Sequence, residues 1–506
     1  MNPTRSARVF SRPASYHILQ ARYVSTTKTT KSSAVVSAAP PTAAAAAAAA
    51  DTSVTTTSAL QRALPQHIGD LIGTSKPNAD SASPLAKLPL SSVLRSLVIL
   101  SFSSSHLLLK PCIYTLSALA NPKTPLTDTD RNPLLHWLIK NTIYKQFNAG
   151  ENKAEVQRSI AEIKNLGCRG VLLGYAREVL TGESKASPHD AKVAKQDVDA
   201  WLQGTLQGVE MATEGDFVAL KFTGMGTQAV HLLQNNLPPT DYMDAAIRKA
   251  CDATIAKGTR LLVDAEEQAV QPGIENWVMK YQKYCNLQTP GKATIYCTYQ
   301  AYLKSTPATI AKHLAMAERD GYTLGVKLVR GAYMKIEPRH LIWDTKEDTD
   351  TCYDGVVDAI LTRRYNSMLS PAPESVAKEM MPPVNLIIAT HNRESVQKAH
   401  SIRLRQVQNN EPRIDLSYAQ LQGMADEVSC DLINGFQDAA RQHPHQILES
   451  PNVYKLLTWG SVQECMGFLL RRALENTEAV SRTKESQKAM IQELWRRIKT
   501  VFVRGN

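Results

Sequence analysis

The chain has 506 residues, 43% of them hydrophobic, enough for one large domain or two to three ordinary ones with a substantial core. Its formal charge of +11 would suit a nucleic-acid binder, but six cations (Arg5, Arg8, Arg12, Arg22, Lys28, Lys31) precede the first acid, Asp51. Without them the body carries only about +5, ordinary for its size, so no nucleic-acid partner is expected. Eight cysteines form no CxxC pair and no run of 18 apolar residues occurs, which argues against a zinc site, a disulfide framework and a simple transmembrane helix.

Residues 1–52, basic and rich in Ser, Thr and Ala, have the composition of a mitochondrial transit peptide ending in a poly-Ala tract at 43–50. The Ser/Thr/Pro-rich stretch 53–84 reads as linker. From 85 to 210 apolar residues recur at three- and four-residue spacing, as in "NKAEVQRSIAEIKNLGCRGVLLGYAREVL", which predicts an N-terminal helical region. Its most apolar part, "SLVILSFSSSHLLL" at 96–109, is broken by serines and His106.

The texture changes over 211–480, where short β-rich runs alternate with helical ones. The runs are "DFVALKFTG", "TRLLVDAEE", "ATIYCTYQAY", "LGVKLVRGAY", "VNLIIATHN", "LSYAQLQGM" and "NVYKLLTWG". Seven such runs, with an eighth sought near 340–343, predict an α/β fold of the (β/α)8 TIM-like barrel class. A basic helix is predicted over 481–506. Polar residues collect at the strand ends: Lys221, Asp264, Gln300, Lys327 with Arg330, Thr390 with His391, and Gln420. Strand ends of this kind surround one mouth in a barrel. An unpaired buried cation costs several kcal/mol. Lys327 and Arg330 at the end of an apolar strand therefore point to an anionic ligand there.

"FTGMGTQA" at 222–229 holds G-x-G-x-x-A after a strand, with Asp244 about twenty residues on, the outline of a dinucleotide-binding turn. Against an NAD-dependent enzyme, Lys221 interrupts the strand just before the turn, and Asp244 lies in a helix start rather than at a strand end. Further on, Ser461 and Glu464 form a capping box for a helix bearing adjacent Arg471 and Arg472. That helix follows the last strand, so two guanidiniums can lean over the mouth and fork a carboxylate or phosphate.

"LVDAEEQ", "TYQAYL", "KLVRGAY", "ATHN", "QLQGM" and "LLRRALEN" occur in the order found in proline dehydrogenases, and over roughly 215–480 the chain resembles that family. The resemblance implies a barrel holding FAD non-covalently at its mouth, L-proline as substrate and a membrane quinone as electron acceptor. It implies action on the matrix side of the inner mitochondrial membrane; the apolar helices near 85–120 offer either a peripheral membrane surface for this or a buried core. Gln300 then bonds the flavin ring, and Lys327 stands near its N5 edge. Ala265, Arg330, Gly331, Ala332, Thr390 and His391 contact the cofactor, with Asn392 behind them. Lys221, Arg471 and Arg472 clamp the substrate carboxylate, Asp264 orients that cluster, and Leu328 and Tyr333 pack on the ring. No metal is implied. Where the family's proline enzymes carry a Tyr four residues before Gly460, this chain has Leu456, with Tyr454 two residues earlier and Thr458 in place of Pro. Hydroxyproline-specific relatives also lack that Tyr and carry a small polar residue. Leu456 cannot hydrogen-bond a ring hydroxyl, which favours proline; hydroxyproline is the alternative substrate.

Overall fold

The computed structural model describes residues 83–176, 190–376, 378–445, 447–478 and 480–504. The transit peptide and nearly all of the linker lie outside the described residues. Nine parallel strands form one sheet, β1 (Asn148–Gly150), β2 (Gly170–Tyr175), β3 (Phe217–Leu220), β4 (Arg260–Val263), β5 (Ile295–Gln300), β6 (Leu324–Val329), β7 (Val384–Ala389), β8 (Leu416–Leu421) and β9 (Asn452–Trp459). Strands β2 to β9 pair in sequence order, and β9 returns to β2 through Leu172↔Leu456 and Leu173↔Leu457, closing an eight-stranded barrel. β1 lies on β9 beside Thr458 and Trp459.

The eighth strand is β2, inside the stretch expected to be helical, and not 340–343. The latter forms a short 3-10 turn, Arg339–Leu341, touching β5's loop through one Leu303↔Ile342 bridge. "GVLLGY" is a short continuous apolar run, whose periodicity does not separate strand from buried helix. Gly167, at φ 103°, ends the preceding helix Lys153–Asn165 and starts the turn into it. The region 85–210 does carry helices at Leu90–Ser104, His106–Ala120, Pro133–Ile139, Lys153–Asn165 and Ala191–Met211. The barrel, however, begins within it.

Two-residue alternation sorts each strand. Val171, Val263, Cys297, Val326, Leu328 and Ile388 face outward into the large core beneath the helices. Leu172, Leu262, Tyr296, Ile387, Tyr454 and Leu456 face the barrel interior. Truncating a fully buried inner residue such as Leu262 to Ala should cost about 2–5 kcal/mol. The amino-terminal end is plugged by Phe217, packed edge-on against Tyr296 at 5.3 Å and Tyr454 at 5.1 Å. Arg260 lies over Phe217 at 4.6 Å and is paired with Asp415 at 3.1 Å. With that end filled, ligands have only the carboxyl-terminal mouth.

The dinucleotide reading fails on position. Residues 222–225 form a 3-10 turn, and Asp244 sits on the outer helix Asp241–Lys257, bound to Arg248 (2.8 Å), Lys280 (2.7 Å) and the Tyr281 hydroxyl (2.8 Å). It has no ribose to meet. The C-terminal helix Val480–Arg504 packs on Leu90–Ser104 around Leu85, Leu88, Val93 and Met490.

Candidate active site

Lys327 points into the barrel because Val326 and Leu328 point out. Its ammonium, on a side chain only 5% exposed, pairs with Asp264 Oδ1 at 2.8 Å at the end of β4. Leu328 therefore lies on the opposite face of β6, 0% exposed in the outer core, and lines no pocket with Asp264; the expectation that it packs on a substrate ring is wrong by one residue of strand alternation. Lys221, half-buried at the end of β3, donates to the Tyr333 hydroxyl at 3.4 Å, which brings the β6 loop across the mouth. Burial opposes the Lys221 charge, but Tyr333, Glu266 and Asp264 more than offset it and hold the ammonium above its usual range. Burial also pushes the Tyr333 phenol up, with the Lys221 charge acting against that.

Glu266 was not anticipated. Only 5% exposed, it accepts from the Thr223 hydroxyl at 2.5 Å, and burial pushes its carboxyl up while Lys221 and Thr223 pull it back. The second acid of "DAEEQ" was the available signal. Ala265 lies half-buried between Asp264 and Glu266.

Gln300 is 3% exposed and works as a strut: its Nε2 donates to the Glu266 carbonyl (3.1 Å) and its Oε1 accepts from the Ala332 amide (3.3 Å). Gly331 has φ 138°, and a Cβ there would lie 2.0 Å from Tyr302 Cδ1, so the turn after β6 needs glycine. Glu337 fastens the same loop, accepting from the Gln268 amide at 2.8 Å.

Arg330 turns away from Lys327 into its own network. It donates to Thr390 Oγ1 (3.2 Å) and Ser395 Oγ (2.8 Å), pairs with Asp350, and stacks over Tyr353 at 4.8 Å. The network sits at the start of helix Arg393–Gln408, where Asn392 is the N-cap, its Oδ1 accepting from Ser395 N at 3.1 Å. His391 Nε2 accepts from Leu421 N at 3.1 Å, joining the ends of β7 and β8. Gln420 faces outward, bonded to the Thr390 carbonyl (3.3 Å) and Ser429 (2.8 Å), so it braces the rim instead of lining it.

The helix Val462–Glu478 buries Val462, Cys465, Met466 and Leu469 against helix His106–Ala120 and its neighbours. Arg471 lies about 170° around the axis from that face, close to Glu464. Glu464 accepts from the Tyr175 hydroxyl at 3.0 Å, at the mouth end of β2. This fixes which way the Arg471 side of the helix is turned: toward the barrel opening. Arg472, a quarter-turn round, lies over Phe468 at 4.9 Å. Leu456 faces the interior, half-exposed, whereas Tyr454 is 1% exposed and sends its hydroxyl to the Gly215 carbonyl (3.2 Å) at the closed end. Of the two, Leu456 is the one on the inner face nearer the mouth, and Tyr454 does not return a phenol there.

A (β/α)8 barrel with one end plugged carries at its open end Lys221, Lys327, Arg330 and the Arg471 side of the last helix, set against Asp264, Glu266 and Asp350, the layout of a barrel enzyme with a charged mouth. The sequence profile of the proline dehydrogenase family matches residues 156–485, and the chain belongs to that family. Proline dehydrogenase 1, mitochondrial, of Caenorhabditis elegans is 31% identical over 257 residues, 50% of this chain and 38% of that protein. Hydroxyproline dehydrogenase of Mus musculus is 27% identical over 409 residues, 71% of this chain and 83% of that protein. Proline utilization A from Bdellovibrio bacteriovorus superposes with a TM-score of 0.53 at 15% identity, covering 81% of this chain and 40% of its own, a likeness of fold.

Proposed function

We propose that this chain oxidises L-proline to 1-pyrroline-5-carboxylate with FAD bound at the barrel mouth. The observation that carries the proposal is the charged mouth just described, built on a proline dehydrogenase barrel. The residues present fit FAD: Gln300 and Lys327 share the inner face of the neighbouring strands β5 and β6, where an amide and an ammonium can meet the polar edge of a flavin ring. Arg330, at a helix N-terminus beside Gly331, suits a pyrophosphate. FAD, held by these residues, would accept the hydride removed from the substrate, a role no side chain can fill.

The chain's own work is binding and orientation. Arg471, Arg472 and Lys221 hold the substrate carboxylate, and Lys221 keeps its charge through Tyr333, Glu266 and Asp264. Asp264, bonded to Lys327, orients the cationic cluster. Leu456 covers the ring. Its apolar side chain offers no partner to a ring hydroxyl, which supports proline over the hydroxyproline of the mouse relative.

Electrons leave to a membrane quinone, from the matrix side of the inner mitochondrial membrane. Among the described residues no single helix is long and apolar enough to cross a membrane. A peripheral surface is supported by one exposed apolar stripe, Leu90, Leu94, Val98 and Phe102 at four-residue spacing, and a second, Ile491, Trp495 and Ile498, on the C-terminal helix.

The clamp is tested by Arg471→Met. Substrate affinity should fall by about 2–5 kcal/mol with flavin content unchanged. Unaltered affinity would make Arg471 a solvated helix face and remove the carboxylate clamp.

A further inference from the structure

Thr298 lies on β5 between the two members of the central ion pair. Its register partner on β6 is Lys327, and on β4 the pairing Val263↔Cys297 puts Asp264 beside it. Cys297 and Tyr299 are in the outer core, so Thr298 faces inward with Lys327 and Asp264. It is 3% exposed, yet its hydroxyl finds no hydrogen-bond partner among the described residues. Lys327 and Asp264 bond each other past it.

A buried hydroxyl without a partner carries a desolvation penalty that an apolar isostere would avoid. A valine would fill the same volume in a strand at least as well. The position therefore keeps a polar atom whose partner the folded chain does not supply. Gln300 stands two residues further along the same face of β5, about 7 Å toward the mouth, and Lys327 about 5 Å to the side. Thr298 thus shares one inner patch of the sheet with Gln300 and Lys327, a register step from each.

We infer that Thr298 is a cofactor-positioning residue whose hydroxyl hydrogen-bonds the polar edge of the flavin ring shared by Gln300 and Lys327. The inference rests on the flavin reading above and adds a third contact to it. The hydroxyl is hidden in the free protein and used only in the loaded one, so its contribution belongs to cofactor binding and not to folding.

The test compares Thr298→Val and Thr298→Ser with the unaltered chain, using FAD itself as the probe. Stripped of flavin, the Val variant should unfold at a urea concentration equal to or above that of the parent, since it loses no bond. It should bind FAD about 5- to 10-fold more weakly, the worth of one hydrogen bond of about 1 kcal/mol or slightly more. Its long-wavelength flavin absorption band should shift, while the Ser variant stays within about twofold of the parent in affinity. FAD affinity within twofold for the Val variant, with an unshifted band, would mean that buried water satisfies the hydroxyl, and would overturn the inference. A Val variant less stable without flavin would also overturn it, by showing that the hydroxyl already serves the fold. Weakened L-proline binding with unchanged FAD binding would move Thr298 to the substrate. If the parent chain takes up no FAD at all, the proposed function fails first and this contact with it.

Discussion

Replacing Asp264 with Asn removes one charge of a largely buried ion pair at the mouth and leaves the shape almost intact. Lys327 Nζ stands 2.8 Å from Asp264 Oδ1, with the lysine side chain 5% exposed and the aspartate 26%. At an effective dielectric near 20 the gross attraction of such a pair is about 6 kcal/mol, and desolvation of the lysine takes back a large share. Breaking the pair from one side is more costly than deleting it, because the ammonium remains buried and unmatched. Allowing for the aspartate's partial exposure, Asp264→Asn should lower the stability of the flavin-free protein by about 2–4 kcal/mol. Lys327→Met combined with Asp264→Asn should recover part of that loss. Urea unfolding of the two single variants and the double variant measures the coupling directly. A single variant within about 0.5 kcal/mol of the parent, or additive losses, would refute the claim that Asp264 compensates the buried Lys327 charge.

Three further outcomes are expected. Leu456→Ser should narrow the preference for L-proline over trans-4-hydroxy-L-proline, which in the parent should be about 10- to 100-fold in kcat/KM because a buried unpaired hydroxyl costs about 1–3 kcal/mol; an unchanged ratio would show that another residue forms the wall. Gly331→Ala should disorder the turn after β6, since its Cβ would sit 2.0 Å from Tyr302 at a φ of 138°, and flavin retention on dilution should drop several-fold; a variant that retains flavin like the parent would remove the turn from the cofactor site. Stability should fall as the pH drops from about 6.5 to 5. Burial lowers His400 to about 4 and His313 to about 3, so across this window the unfolded chain binds protons that the folded chain refuses. Each histidine then contributes a loss on the order of 2 kcal/mol, and a flat urea midpoint from pH 7 to 5 would contradict it.

Seven barrel strands were legible because each is a short apolar run between helical ones, and six of them carry a polar residue at or near the exit, a pattern that parallel strands under helices impose. The strand β2 was hidden for the opposite reason: "GVLLGY" ends in no charged residue and follows a strongly periodic helix, so nothing local separates it from that helix. Residues placed by strand exit, such as Lys221, Asp264 and Lys327, could be assigned to the mouth from sequence. Leu328 and Gln420 could not, because which face a strand residue takes depends on its neighbours' burial and not on its motif. The partners that hold the site, Glu266 for Thr223 and Asp350 for Arg330, come from different elements. Asp350 comes from a helix 20 residues beyond Arg330 in sequence, and only the fold joins them.

The most direct measurement is anaerobic mixing of the purified, FAD-loaded chain with L-proline while the flavin absorbance is followed. The account predicts a protein that is yellow, that bleaches on adding L-proline, and that recovers its colour when a soluble quinone is added. A protein that holds FAD but keeps its oxidised spectrum with saturating L-proline, yet bleaches with trans-4-hydroxy-L-proline, would contradict the substrate assignment, and one that bleaches with neither would contradict the proposed reaction.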